Sequence, residues 1–217
     1  MKKVISAISA IVVTFFTGAI TTVAETNEQY NYIIESEIAN EEDITPYSID
    51  SIKILDVPFC EQQKNYYCGP ACVQQVAKYY GYNPTQSAIA ESIGTETYGS
   101  TYADDIVDYC NDNFPYSWDY YEKIYDFDNS SSMLGEIGYS LDCDKPVIAN
   151  LGKLTTSNWL YNSGGHYVVC RGYVDDTTTN GHVAYIVDPW KKGHGISNGR
   201  YTVSSDKLYN VIYGFIG

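Results

Sequence analysis

The hydrophobic pattern of the chain changes its period near Pro115, and no other feature constrains the fold as strongly. Before this point apolar residues recur at helical spacing, as in residues 68–80, whose Val, Ala and Tyr side chains share one helix face. After it, short runs rich in Val, Ile and Tyr are separated by Gly, Asn and Asp turns, which is typical of antiparallel strands. This segregation predicts an α+β fold, with a helical N-terminal half packed on an antiparallel β-sheet formed by the C-terminal half.

Several element boundaries follow from turn and capping residues. Pro70 suits the first turn of a helix that begins at Cys68, because a backbone N–H there would have no partner. Thr85 predicts the cap of a second helix, and Ser100 or Thr101 predicts the cap of a third. The other predicted elements are a helix over 131–143 and strands over 52–59, 116–127, 145–151, 165–176, 182–190, 199–203 and 209–217.

The first 24 residues predict a secretory signal peptide. Lys2 and Lys3 give a positive start, residues 4–20 carry no charge, and small residues lead to a cleavage point after Ala24. The alternative is an uncleaved membrane anchor, although the Ser, Thr and Gly content makes the run only weakly apolar. We therefore expect a secreted, extracellular protein with no stable membrane insertion after signal removal, or a membrane-anchored protein if the signal is kept.

Residues 25–50 form a distinct block with eight acidic side chains and no Lys or Arg. A run of like charges favours a solvated linker, and a short propeptide that covers the active site is the alternative. The remaining residues, 51–217, are enough for one domain with a good core. The whole chain has a net charge of −14, which argues against nucleic acid and anionic lipid as partners because both are bound through positive charge.

Six cysteines in an exported chain raise the question of disulfide bonds. If one of them is a catalytic thiol, at least one of the other five is unpaired. Cys72 with Cys110 and Cys143 with Cys170 are possible bridges, and buried free thiols are the alternative. Spacing alone leaves the pattern open, for Cys60 as well.

Cys68 is the candidate nucleophile. A thiol attacks a carbonyl as its thiolate, and the backbone N–H groups at a helix N-terminus stabilise that anion. Cys68 falls at the start of the predicted helix, whereas Cys72 lies one turn inside it and Cys60 lies in an extended arm. The alternative is a structural role for Cys68, as a disulfide partner or a buried thiol.

A thiolate needs a nearby base, and the chain has three histidines. His166 follows two glycines and begins a predicted strand, whereas His182 and His194 fit ordinary surface or core positions. Asp188 ends the next strand, and the intervening hairpin would bring it back beside His166. Such a carboxylate can hold the imidazole in one tautomer. The alternatives are a histidine without a special role and an aspartate that only opens the turn before Pro189.

The oxyanion of an acyl-transfer reaction needs hydrogen-bond donors. Gln62 lies six residues before Cys68, in a loop ahead of the helix. Its amide could point at the developing charge, with the Cys68 backbone N–H as the second donor. Gln63 is the alternative donor, and a solvated loop glutamine is the third interpretation.

Together these residues resemble the papain-like cysteine peptidases. The resemblance rests on the glutamine six residues before the cysteine, the histidine after Gly-Gly and the aspartate in "DPW", over roughly residues 54–190. More narrowly, the chain is similar to the bacterial double-glycine peptidase family, which processes bacteriocin leaders, and to its secreted stand-alone relatives. The resemblance implies a papain-like fold with Cys68 as nucleophile and His166 as general base and acid. Asp188 then orients His166, and Gln62 donates to the oxyanion.

The function that we expect is hydrolysis of a peptide or protein substrate, or of a cell-wall peptide, through a thioacyl intermediate on Cys68. Two alternatives use the same fold: an acyl-transferring, transglutaminase-like enzyme, and a non-catalytic module that binds peptides or cell wall. We expect no metal and no cofactor, because the sequence has no close ligand pair such as Cys-x2-Cys and no phosphate-binding glycine loop.

Overall fold

A computed structural model describes residues 51–97, 101–114, 119–124, 126–176, 181–190 and 199–217, which belong to one compact unit. The helices of this part of the chain are α1 (Cys68–Tyr79), α2 (Gln86–Ser92), α3 (Ala103–Asn113), α4 (Ser130–Asp142) and α5 (Ser205–Tyr209). Its strands are β1 (Ser51–Ile54), β2 (Glu122–Ile124), β3 (Val147–Leu151), β4 (His166–Asp175), β5 (Val183–Val187), β6 (Arg200–Ser204) and β7 (Ile212–Ile216). The predicted signal peptide and acidic block, residues 1–50, lie outside the described residues.

The seven strands form one antiparallel sheet, in which the order β2-β7-β3-β4-β5-β6 places β4 in the interior. β3 pairs with the first half of β4, so that Val147 lies opposite Cys170 and Leu151 lies opposite His166. β1 pairs with the second half of β4. Because β5 occupies the other edge of β4, β1 and β3 lie end to end along one edge. The arrangement confirms the predicted α+β class.

The hairpin formed by β4 and β5 contains a β-bulge. Cys170 pairs with Ile186, but the next pair is Gly172 with Tyr185, so Arg171 is an extra residue in β4. A bulge of this kind shifts the pairing of the two strands by one residue, so the register before the bulge differs from the register after it.

β4 is buried on both faces. Eight successive residues, from His166 to Tyr173, are buried, whereas a strand with one solvated face would alternate. α1 packs against β4, and its Val73, Val76 and Ala77 are fully buried. This packing fixes the first residue of α1 relative to the first residue of β4.

The predicted starts of α1 and α2 are confirmed. α1 begins at Cys68. Thr85 caps α2 through its hydroxyl, which accepts a hydrogen bond from the Ala88 N–H at 3.2 Å. The predicted fourth helix is α4, and Asn129 caps it.

The predicted cap of α3 is wrong. Tyr102 is the N-cap residue, and its side chain makes no capping hydrogen bond. The hydroxyl of Thr101 lies 3.1 Å from the hydroxyl of Thr95 instead, and Ser100 lies outside the described residues. α5 has no counterpart among the predicted elements, because five residues are too few to show a helical period. Among the helices of the described ranges, none combines the length and the apolarity needed to cross a bilayer.

All six cysteines are free thiols. Cys60, Cys72, Cys110 and Cys170 are buried, whereas Cys143 is exposed. Neither of the two possible bridges therefore forms, and the buried-thiol alternative describes four of the six.

The close approach of β1 to β4 gives a stability prediction. A Cβ on Gly172 would lie 2.6 Å from the Lys53 carbonyl oxygen and 2.9 Å from Ile54 Cα. We expect Gly172→Ala to push β1 away from β4 and to lower the free energy of unfolding by about 1–3 kcal/mol, measured by chemical denaturation.

Gly135→Ala is the matched control for this variant. Gly135 lies on the exposed side of α4, and a Cβ there would meet nothing within 4 Å. Alanine in place of glycine inside a helix should raise the free energy of unfolding by about 0.5–1 kcal/mol. Equal stabilities of the two variants would contradict the close approach of β1.

Candidate active site

Cys68 is the first residue of α1 and is half-buried. Its thiol hydrogen-bonds with the His166 imidazole, and backbone groups of Tyr167 and Gly69 also contact the sulfur. Burial alone raises the pKa of the Cys68 thiol, but the hydrogen bond and charge of His166, together with the two backbone contacts, outweigh burial. The pKa of Cys68 is therefore lower than that of an ordinary cysteine, which favours the thiolate.

His166 is the first residue of β4 and is 4% exposed. Its Nε2 lies 2.9 Å from Asp188 Oδ1, which leaves Nδ1 as the ring nitrogen that faces Cys68. Burial lowers the pKa of His166, but the hydrogen bonds to Asp188 and Cys68 raise it more, to about 9. At neutral pH the site therefore favours an imidazolium beside a thiolate.

Asp188 directly follows β5 and is fully buried. Its Oδ1 accepts hydrogen bonds from His166 Nε2 and from the Trp190 backbone N–H, the latter at 2.8 Å. Its Oδ2 accepts hydrogen bonds from the Tyr201 hydroxyl at 2.8 Å and from the Tyr161 hydroxyl. Burial raises the pKa of Asp188, but its donors, His166 foremost, bring it below the ordinary value. The buried carboxylate is therefore ionised at neutral pH.

Tyr161 and Tyr201 also belong to the site, although no pattern in the sequence predicts them. Tyr161 lies on the loop between β3 and β4, and Tyr201 lies on β6 opposite Ile186. Burial raises the pKa of both hydroxyls, so both remain protonated donors toward Asp188. The chain contains 23 tyrosines, and no spacing distinguishes these two from the others.

The backbone of Gly199 packs directly against the backbone of Asp188. Its carbonyl oxygen accepts a hydrogen bond from the Asp188 N–H at 2.8 Å, and its φ of 59° lies in the region that favours glycine. A Cβ on Gly199 would overlap the Asp188 carbonyl oxygen and the Phe59 ring. Only glycine therefore fits at this position without moving Asp188.

Trp190 packs against the pair formed by His166 and Asp188. The centroid of its ring system lies 6.0 Å from the His166 ring and 4.9 Å from the Tyr161 ring. Trp190 itself is half-buried. An apolar ring in this place limits the access of water, and the electrostatic attraction within the pair is stronger as a result.

The Gln62 amide lies at the turn that precedes Cys68. Its Nε2 donates to the Lys64 carbonyl oxygen at 2.9 Å, and the same oxygen accepts from the N–H of Tyr67, the residue before Cys68, at 3.0 Å. Gln62 Oε1 is buried and has no hydrogen-bond partner among the described residues. Gln63 is exposed. Gln62 is the less exposed of the two glutamines, and its role as the oxyanion donor stays a prediction.

The other predicted candidates do not join this arrangement. His182 Nδ1 lies 2.6 Å from Asp175 Oδ1 near the far end of the hairpin, and His194 lies outside the described residues. Cys72 is fully buried, and burial raises the pKa of its thiol well above the ordinary value. Within the ranges that the structure describes, no group of three or more His, Cys, Asp or Glu residues is placed to hold a metal ion.

Comparison with solved structures identifies the fold. The peptidase domain of ComA from Streptococcus, a bi-functional ABC transporter, matches with a TM-score of 0.51 and 20% identity, over 74% of this chain and 95% of that domain. A protein from Bacillus anthracis described as a C39-like peptidase matches with a TM-score of 0.52 and 15% identity, over 77% of this chain and 97% of its own. The predicted papain-like peptidase fold is therefore confirmed.

Comparison at the level of sequence gives the family. No curated protein sequence matches the chain. The model of the Peptidase_C39 like family matches residues 54–214, which span all three residues of the Cys68, His166 and Asp188 arrangement. The chain therefore belongs to the Peptidase_C39 like family and is a cysteine-type peptidase.

Proposed function

We propose that this peptidase cleaves peptide bonds through a thioacyl intermediate on Cys68. The observation that carries the proposal is the continuous series of contacts from the Cys68 thiol through the His166 ring to the buried Asp188 carboxylate. A nucleophile, a base that contacts it and a third group that orients the base make up an activated thiol. In this scheme His166 is the general base and acid, and Asp188 is the group that orients it.

In the first half of the reaction the Cys68 thiolate attacks the carbonyl carbon of the substrate. The new C–S bond forms while the carbonyl π electrons move to oxygen, and the Cys68 backbone N–H and the second Nε2–H of Gln62 are the proposed donors to this oxyanion. When the tetrahedral intermediate collapses, the C–N bond breaks. His166 Nδ1 then gives its proton to the departing amine.

Water completes the cycle. Neutral His166 accepts a proton from water at Nδ1 while the water oxygen attacks the thioester carbon. Collapse of the second tetrahedral intermediate breaks the C–S bond, releases the carboxylic acid and restores the thiolate and the imidazolium. Asp188 holds the ring through Nε2 throughout and does not itself become protonated.

The proposed setting is outside the cell. The positive start, uncharged run and small-residue cleavage point of residues 1–24 support export, and the acidic composition of 25–50 supports a solvated linker between the signal and the peptidase. Peptides, proteins and cell-wall peptides are the substrates that such an enzyme would meet.

One prediction concerns the thiol. Cys68→Ala should abolish cleavage of a quenched fluorescent peptide pool, whereas Cys72→Ala should retain it because the Cys72 thiol is fully buried and stays protonated. Iodoacetamide should label Cys68 rapidly near pH 6, well below the ordinary thiol pKa of about 8.5, and His166→Ala should slow the labelling. Labelling of Cys68 only above about pH 8 would contradict an activated thiol.

The same pair predicts the alkaline limit of activity. The pKa of His166 is raised to about 9. The stabilisation that the positive charge of His166 gives the ion pair is therefore fully present below the ordinary histidine pKa and is lost as the pH rises through about 9. Peptide cleavage should therefore fall above about pH 9, because a neutral imidazole has no proton for the leaving amine.

Another prediction concerns the tyrosines around Asp188. Tyr201→Phe removes one donor to Oδ2, so the pKa of Asp188, which is lowered in the native protein, should rise. The acid limb of the profile of kcat/KM against pH should then move to higher pH, since the ionised carboxylate is lost earlier as the pH falls. Tyr209→Phe is the control, because its hydroxyl donates to the Phe127 carbonyl oxygen away from the site. An identical acid limb in both variants would contradict the role of Tyr201.

A further prediction concerns export. Expression of the full chain in a bacterial host that secretes proteins should release a mature form whose N-terminal sequence begins at Glu25. N-terminal sequencing of the protein from the medium tests this. Recovery of the intact chain in the membrane fraction would favour the uncleaved anchor instead.

A further inference from the structure

The loop that carries Gln62 is fixed by two buried glutamine side chains. Gln86 Nε2 donates to the Glu61 carbonyl oxygen at 2.9 Å, and Gln86 Oε1 accepts from the Gln63 N–H at 2.8 Å. One side-chain amide therefore bonds to the backbone on both sides of Gln62, as a peptide group of a neighbouring strand would. Gln75 Nε2 adds a hydrogen bond to the carbonyl oxygen of Cys60 at 3.1 Å.

Both glutamines are buried, where an amide atom is costly unless it is hydrogen-bonded. Gln86 pairs both of its amide atoms, whereas Gln75 pairs Nε2 and its Oε1 has no partner among the described residues. Gln86 is 1% exposed at the first position of α2, and Gln75 is 0% exposed in α1. The loop at 60–63 forms no helix or strand of its own, so its shape depends on these side chains and on the hydrogen bond from the Gln62 N–H to the Pro189 carbonyl oxygen at 3.0 Å. That last bond also ties the loop to the residue that follows Asp188.

We infer that Gln86 is a positioning residue for the oxyanion donor: by holding Glu61 and Gln63, it aims the Gln62 amide at the carbonyl oxygen that Cys68 attacks. The inference rests on the proposed function of Gln62. An oxyanion donor stabilises the transition state only if it is already in place, and a displacement of about 1 Å can cost a large part of the rate. Gln86 acts on the rate entirely through Gln62 and touches neither the thiol nor the substrate.

Two reagents separate this role from general damage to the fold. Acylation of Cys68 by p-nitrophenyl acetate passes through a tetrahedral oxyanion, whereas alkylation by iodoacetamide forms no oxyanion. The ratio of the acylation rate to the alkylation rate therefore reports on the oxyanion donors and cancels changes in thiolate population. Gln86→Met keeps the length of the side chain and removes both hydrogen bonds to the loop. We expect this variant to lower the ratio roughly ten-fold, a fraction of the 10²–10³-fold effect typical of removing a whole donor.

A double-mutant cycle tests whether the effect runs through Gln62. Gln62→Ala should lower the ratio on its own, and Gln86→Met added to Gln62→Ala should lower it no further than about two-fold. Gln74→Met is the matched control, because Gln74 accepts a hydrogen bond from Gln86 Nε2 at 2.9 Å and donates to the Pro84 carbonyl oxygen but has no hydrogen bond to the loop at 60–63. Its ratio should stay within about two-fold of the native value.

Each outcome decides the matter. A ten-fold fall in Gln86→Met that disappears in the Gln62→Ala background supports the inference. An unchanged ratio in Gln86→Met, or an equal fall in both backgrounds, overturns it while the activated thiol stands. Should Gln86→Met fail to unfold cooperatively, Gln86→Glu, which keeps an acceptor for the Gln63 N–H and loses the donor to the Glu61 carbonyl oxygen, takes its place with the same expected direction. Absence of Cys68 acylation in the native protein overturns the proposed function and this inference with it.

Discussion

The buried Asp188 carboxylate is the charge on which the rest of the site depends. A carboxylate removed from water costs several kcal/mol unless other donors replace the water, and here four donors surround its two oxygens. These donors come from the loop between β3 and β4, from β4, from the turn after β5 and from β6. They converge only in the folded chain. The ionised aspartate, the raised pKa of His166 and the lowered pKa of Cys68 are therefore consequences of folding itself.

The packing of α1 on β4 explains why the thiol and the imidazole meet. Cys68 and His166 are each the first residue of their element, so both side chains lie at the same end of the contact between helix and strand. The start of α1 supplies backbone N–H groups to an anion, and the burial of β4 on both faces withdraws His166 from water. α1 therefore provides the thiolate and β4 provides the imidazolium, and the place of each residue at the start of its element brings the two side chains together.

The sequence predicts the parts of the site that depend on local pattern. The place of Cys68 at a helix start follows from helical period and a proline in the first turn, and the approach of Asp188 to His166 follows from the geometry of a hairpin. Tyr161 and Gln86 act instead through contacts between segments that are distant along the chain. The α3 cap fails for another reason, because the Thr101 hydroxyl, which suits a cap, lies within hydrogen-bond distance of the Thr95 hydroxyl instead. Capping rules describe what a side chain can do, and tertiary contacts decide which option it takes.

The bulge in β4 determines which face of the sheet carries Asp188. Val169 pairs with Val187, and this register extended by one residue places Asp188 opposite Val168, two residues from His166 and on the same face. Without the bulge, the register of Gly172 with Tyr185 would continue and Asp188 would lie opposite Val169. Its carboxylate would then point to the face of the sheet opposite to that of His166. The extra residue Arg171 therefore shifts the pairing of β5 with β4 by one position, which places Asp188 on the same face of the sheet as His166. In a relative without this extra residue, the aspartate would lie on the opposite face of the sheet from the histidine, and no small shift of the backbone would bring the two side chains together.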